Sequence, residues 1–172
     1  FDVLSDDPKT TAIIIKERLK QNDFKNIKFK EHPGIGEIIP SHYEVTVGAD
    51  TVCFIYEPIA CHSYNKIKVG DSVVKVATID TMLSFFLAFL YADKPYYDHD
   101  RILCMAQYLF TVQSKNRLKQ KGLLQRFSIN CYGKQKTIED IRGEKSNKHK
   151  ELQHKKGSKE YEEWFLRYIP SE

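Results

Sequence analysis

The stretch FDVLSDDPKTTAIIIKERL places an acid, Asp2, at the start of a short apolar run, followed by Ser5, Asp6, Asp7 and Pro8. An acid on a strand that leads into a helix N-terminus can hold a hard cation against nucleotide phosphates, because Mg²⁺ takes one or two carboxylates together with phosphate oxygens. Two such ions activate an attacking hydroxyl and steady a departing pyrophosphate. That chemistry needs two acids one residue apart and a third on a neighbouring strand. Asp2 can be one of the pair. The strand TVCFIYE, residues 51–57, carries Phe54 at its centre and no carboxylate there; Asp50 precedes it and Glu57 ends it. The competing reading makes Asp2 an ordinary strand-end acid and Asp6 and Asp7 helix-capping residues.

Other groups suited to chemistry are dispersed. His32, His42, His62 and His99 show no helix-spaced pair and no adjacent nucleophile, so metal and triad chemistry have little support. In YADKPYYDHDR, Tyr91, Tyr96 and Tyr97 stand with Lys94 and Arg101, a set that can stack a base and hold a phosphate. The same residues also suit an interhelical turn in which Asp98 or Asp100 caps a helix. Lys115, Arg117, Lys119, Lys121, Arg126, Lys134 and Lys136 alternate with Phe127 and Tyr132, as a surface that neutralises phosphates and stacks bases would require. A solvated charged face gives a similar pattern. No glycine-rich phosphate loop and no Gly-x-Ser-x-Gly elbow is present.

These residues need elements to position them. Residues 2–5 read as a strand. Asp7 with Pro8 opens a helix to about Gln21, whose stripe is Ala12, Ile15 and Leu19. NIKFKEH, HYEVTV, TVCFIYE and VVKVATI read as strands, HPGIGEIIPS as a loop, and VGAD and VGDS as turns. Thr78 caps an apolar helix, and a second long helix with Ile102, Met105, Leu109 and Val112 on its core face starts near Asp98 or Asp100. Two charged helices follow, roughly over 137–155 and 158–168. Strand, helix, several strands and then helices alone make an α+β chain with segregated elements.

The 172 residues carry 27 Lys and Arg against 23 Asp and Glu, a net charge of +4, which is too mild to indicate nucleic acid on its own. The excess is concentrated in residues 115–159, on a slightly acidic first hundred. This predicts a core over 1–114 and a basic helical extension over 115–172. MLSFFLAFLYA is too short to span a bilayer, so no membrane association is expected. Four scattered cysteines without a Cys-x-x-Cys pair predict neither a zinc site nor a disulfide scaffold, and indicate a reducing compartment.

Taken in order, FDVLSDDPKTTAIIIKERL, GEIIPSHYEVTVGADTVCFIYEPIACHSYN, KVATIDTMLSFFLAFLYADKPYYDHDRILCMAQYLF, KGLLQRFSINCYGKQ and SKEYEEWFLRY resemble the poly(A) polymerase catalytic subunits of large DNA viruses, the giant, mimivirus-like branch closest. The resemblance implies a nucleotidyltransferase-like mixed sheet with flanking helices and a mostly helical C-terminal part. It implies addition of AMP from ATP to RNA 3′ ends in mRNA processing, with Mg²⁺ or Mn²⁺ as the cofactor and ATP as substrate. On that pattern Asp2 is the second aspartate of an Asp-x-Asp pair, a metal-binding and catalytic residue, and the first would lie before Phe1. Ser5, Tyr96 and Arg101 would lie near the nucleotide. Lys115, Arg117, Lys119, Lys121, Arg126 and Lys134 would follow the RNA backbone. The third aspartate would fall near Phe54 and is absent, as is the glycine-rich start. The chain is therefore expected to be a piece of a longer polymerase and inactive alone. The alternative is a degenerate module that binds RNA or a partner subunit without catalysis. The resemblance further implies the virion or the cytoplasmic virus factory as the location, and a homodimer or partner subunit as companion.

Overall fold

The computed structural model describes residues 1–115, 122–123 and 125–166. Its elements run β1 (Asp2–Leu4), α1 (Pro8–Gln21), β2 (Ile27–His32), β3 (His42–Val47), β4 (Asp50–Tyr56), β5 (His62–Val69), β6 (Ser72–Ala77), α2 (Ile79–Ala92), α3 (His99–Lys115), β7 (Cys131–Tyr132), α4 (Ile138–Leu152) and α5 (Lys159–Trp164), with a 3₁₀ turn at Gln153–Lys155. The fold is α+β, as the element order predicts. Two compact units divide it: residues 1–59 with 135–172, and residues 60–134. The charge boundary at 114/115 coincides with neither break; charge reports surface composition, and compactness follows strand pairing.

The first unit is built on a four-stranded sheet ordered β1-β4-β3-β2, with β1 parallel to β4 and the other pairings antiparallel. Asp7 starts α1 by accepting a hydrogen bond from the Thr10 amide at 3.0 Å, and Pro8 occupies the first turn, where its missing N–H costs nothing. The stripe read from the sequence is the buried one. Ala12 lies in a core with Val45, Cys53 and Ile55, and Ile15 and Leu19 pack against it. Burial also pushes the Cys53 thiol above its ordinary pKa, which makes it a packing group.

Helix α4 opens with a reciprocal cap: Thr137 accepts from the Asp140 amide, and Asp140 accepts from the Thr137 amide, both at 3.1 Å. Lys145, on α4, reaches Glu37 of the β2–β3 loop and the Trp164 carbonyl. Gly36 in that loop has φ +51° and lies against Glu163, so a Cβ there would run into the Glu163 carbonyl.

The second unit has a three-stranded sheet ordered β6-β5-β7, all antiparallel. Gly70, at φ +58°, supplies the β5–β6 turn. Strand β5 covers HSYNKIKV, which shows no clean apolar alternation and was not anticipated. Thr78 caps α2 as expected, and Asp98 caps α3 by accepting from the Arg101 amide at 3.0 Å. The core is aromatic: Phe89 stacks on Tyr97 at 4.6 Å and also meets Phe85 and Phe86.

Ile55→Ala should cost about 2–5 kcal/mol of the first unit's stability, since it leaves a cavity beneath α1. Gly36→Ala should instead loosen the α4–α5 pair while sparing the sheet. Trp164 is the only tryptophan, so its emission should shift to the red in Gly36→Ala under native conditions. An unshifted emission would show that the close approach at Glu163 does not hold α5.

Candidate functional site

Strand register sets what surrounds Asp2. Asp2 pairs with Phe54, Phe54 with Glu44, and Glu44 with Lys30, one row across the first unit's sheet. The next row is Leu4, Tyr56, His42 and His32. Both rows occupy the face opposite α1, because the alternating residues Val3, Ile55 and Val45 belong to the α1 core. Asp2 is exposed, at the edge strand. Ser5 follows it and shares a hydrogen bond with Thr11 at 2.7 Å, its hydroxyl also accepting from the Asp7 amide at 3.1 Å. That serine braces the strand-to-helix turn.

Phe54 is the register partner of Asp2 on β4. Its ring meets His42 edge-on at 5.9 Å and tilts against Tyr56 at 6.3 Å. The next carboxylate in the row, Glu44, is already engaged: one oxygen bonds His32 Nε2 at 2.8 Å and the other accepts from the Thr51 hydroxyl at 2.6 Å. Burial raises the Glu44 pKa, but the bonds from Thr51 and His32 outweigh it and hold the carboxyl below its ordinary range. Among the described residues no three His, Cys, Asp or Glu side chains gather closely enough to hold a metal ion. The cradle that Mg²⁺ or Mn²⁺ would need is therefore one carboxylate, Asp2, and the described residues do not fit it.

Spacing did not reveal the His32–Glu44–Thr51 network. His32 and His42 stack at 5.1 Å, and His42 stacks on Tyr56 at 4.7 Å. His42 Nδ1 lies 3.0 Å from the Pro40 carbonyl and donates to it. Burial holds the His42 pKa below the ordinary histidine value and nearby His32 adds to this, while the Pro40 bond opposes it. The available signal was the alternation of KFKEH and HYEVTV, which in antiparallel register aligns the two histidines.

The remaining predicted residues belong to the second unit. Tyr96 is half-buried against Tyr97 at 4.7 Å, and Tyr97 is itself core. Arg101 is exposed in the first turn of α3, so YADKPYYDHDR forms an interhelical turn with its cap. Lys115 is exposed in the last turn of α3, and Lys134 is exposed after β7. Arg126 Nε lies 3.5 Å from Asp80, whose other oxygen accepts from Gln113 at 2.7 Å. Arg117, Lys119 and Lys121 lie outside the described residues. Residues 125–134 form irregular chain and β7 rather than helix. Cys61 and Cys131 form a disulfide, which corrects the reading of a chain without bridges and removes cysteine spacing as support for a reducing compartment. Seventy residues separate the two, so only the β5–β7 pairing could bring them together. No described helix is long and apolar enough to cross a membrane.

No family model matches the chain, and no curated protein matches it.

A neutral buried His42 has a pH consequence. Below about pH 6.5 the unfolded histidine takes up a proton that the folded one resists, so stability falls as the pH drops toward the folded pKa. The slope contributed is at most about 1.4 kcal/mol per pH unit. His42→Asn keeps a donor for the Pro40 carbonyl and loses the titration. Denaturant unfolding across this range should give a flatter pH dependence for the variant, and an equal slope would remove His42 as the source.

Proposed function

We propose that this chain is the nucleotidyltransferase-like part of a polynucleotide adenylyltransferase of the poly(A) polymerase type, that it engages RNA, and that it transfers no nucleotide by itself. The observation that carries the reading is the parallel register of Asp2 with Phe54 on strands flanking a capped helix start. That order of strand, cap and helix supports the reading, with one acid present and an aromatic ring where the family pattern has another. In-line attack of a 3′ hydroxyl on an α-phosphate requires charge stabilisation on the attacking and leaving oxygens. A single exposed carboxylate supplies too little of it.

What the chain's residues can do is bind. Lys115 and Lys134 present exposed ammonium groups, and Phe127 is 58% exposed in the same compact unit. Cations of this kind neutralise phosphates, and exposed rings stack on bases. Arg126 contributes less, because Asp80 already faces it. The alternative is a module that docks on a partner subunit rather than on RNA, and the Asp80–Arg126 pair weighs against RNA by engaging one of the cations.

Two measurements decide. Radiolabelled ATP offered with Mg²⁺ and an oligo(A) primer should be incorporated no faster than by the Asp2→Asn variant; incorporation above that control would show a working catalyst. Oligo(A) affinity should fall with salt, and Lys115→Ala/Lys134→Ala should flatten the log–log slope by about 1.4, from about 0.7 per single-strand phosphate contact. A salt-independent affinity would leave the partner-docking reading.

A further inference from the structure

Strand β7 has two residues and two register partners, His62 with Tyr132 and Ser63 with Cys131. A ladder that short gains little net free energy from its few hydrogen bonds, about 1 kcal/mol each, and must oppose the entropy of ordering the chain around it. The strand is nevertheless seated. The Tyr64 amide donates to the Asn130 carbonyl at 3.0 Å, and Lys75 lies over the Tyr64 and Tyr132 rings at 5.1 and 5.4 Å. The Cys61–Cys131 bridge joins the strands at this point, with Cα atoms 5.3 Å apart. Upstream, the same segment is tied independently: the Ile79 and Asp80 amides at the start of α2 donate to the Gln125 and Arg126 carbonyls at 2.9 and 3.2 Å. One end is therefore held by the helix start and the other by the bridge.

Cys131 is exposed, so a thiolate can reach its sulfur. The same unit keeps an exposed free thiol, Cys104, on α3. An exposed thiol is a poor companion for a permanent bridge, because the two can exchange. It suits a protein whose bridge is made and broken.

We infer that the Cys61–Cys131 disulfide is a redox latch that fastens residues 127–134 along the edge of β5, and that dithiol reductants release this segment without unfolding the sheet. In the release step a reductant thiolate attacks Cys131 Sγ, the S–S bond breaks, and Cys61 leaves as a thiolate that takes up a proton. The reductant's second thiol then displaces Cys131, also as a thiol. Two electrons pass to the bridge and the reductant becomes a cyclic disulfide. Release frees Lys134 and Phe127 from their fixed placement, so the latch would set how the basic segment meets RNA; that last clause rests on the proposed function, whereas the latch does not.

The test uses the full chain carrying Cys104→Ser, with hydrogen exchange followed residue by residue before and after millimolar dithiothreitol, and mass measured to confirm a gain of two hydrogens. The Tyr64 amide should exchange at least about tenfold faster once the bridge is reduced, as expected for the loss of one or two modest hydrogen bonds. Amides of the β5–β6 ladder, such as those of Asn65 and Ile67 opposite Val76 and Val74, should keep their protection. Cys61→Ser/Cys131→Ser should show the same pattern without reductant. Unchanged Tyr64 protection after full reduction, a bridge that survives native reduction, or loss of the β5–β6 protection together with Tyr64 would each overturn the latch. Oligo(A) affinity measured on the same two states bears only on the RNA reading: an identical affinity would count against that reading and leave the exchange result standing.

Discussion

Strand β4 is buried on both faces, and the first unit depends on this constraint. Cys53 and Ile55 point to α1, whereas Phe54 and Tyr56 point to the opposite face. A slip of one residue would drive the rings into the helix-covered core and expose Ile55. The pairing with β1 is pinned at both ends by backbone bonds, Phe54 N–H to the Phe1 carbonyl and Ser5 N–H to the Tyr56 carbonyl, each at 2.9 Å. On the β3 side the register shifts between Val45 and Thr46, because Val45 pairs with Cys53 and Thr46 with Thr51. Val52 is the extra residue, a bulge that lets Thr51 face Glu44. The neighbours of Asp2 follow from this one alignment.

That face then carries polar groups where water is scarce. His42 is fully buried and His32 nearly so. A buried imidazole or carboxylate without partners costs several kcal/mol. Glu44 offsets part of that by spending both oxygens on His32 and Thr51, and the Pro40 carbonyl accepts from His42 Nδ1–H. The second unit meets the same demand with hydroxyls: Ser63, Thr78 and Thr81 bond one another at 2.6–3.3 Å beneath the start of α2. A carboxylate committed to such a network is poorly placed to bind an external cation, which is why the row containing Asp2 and Glu44 does not amount to a cradle.

The caps and stripes were legible in the sequence because their causes are local. Asp7-Pro8 and Thr78 each announce a helix through a side chain that reaches only three residues ahead. The α1 stripe needs only the helical period. Strand β5 was missed because Asn65, Lys66 and Lys68 interrupt its apolar residues; it is held by β6 on one side and β7 on the other rather than by a buried face. Tyr96 and Tyr97 looked like a stacking platform because sequence gives ring type without direction, and Tyr97 turns inward onto Phe89. The bridge and the Glu44 network were invisible for the same reason: both join residues that only strand pairing brings together.

The two units thus solve burial differently. The first lays an amphipathic helix on an alternating sheet, so its apolar residues suffice to fix register. The second puts most of its apolar weight into α2, whose Phe85, Phe86 and Phe89 cluster with Tyr97, and its sheet buries little: β6 is exposed over four of its six residues. A sheet with so little buried surface cannot hold a two-residue strand by the hydrophobic effect. Something covalent or electrostatic has to take its place. The Cys61–Cys131 bond and the Lys75 ammonium between two tyrosines are what this unit uses. The covalent tie lies where the strand pairing is shortest, so the two-residue edge of this sheet is also the one open to control by thiol chemistry.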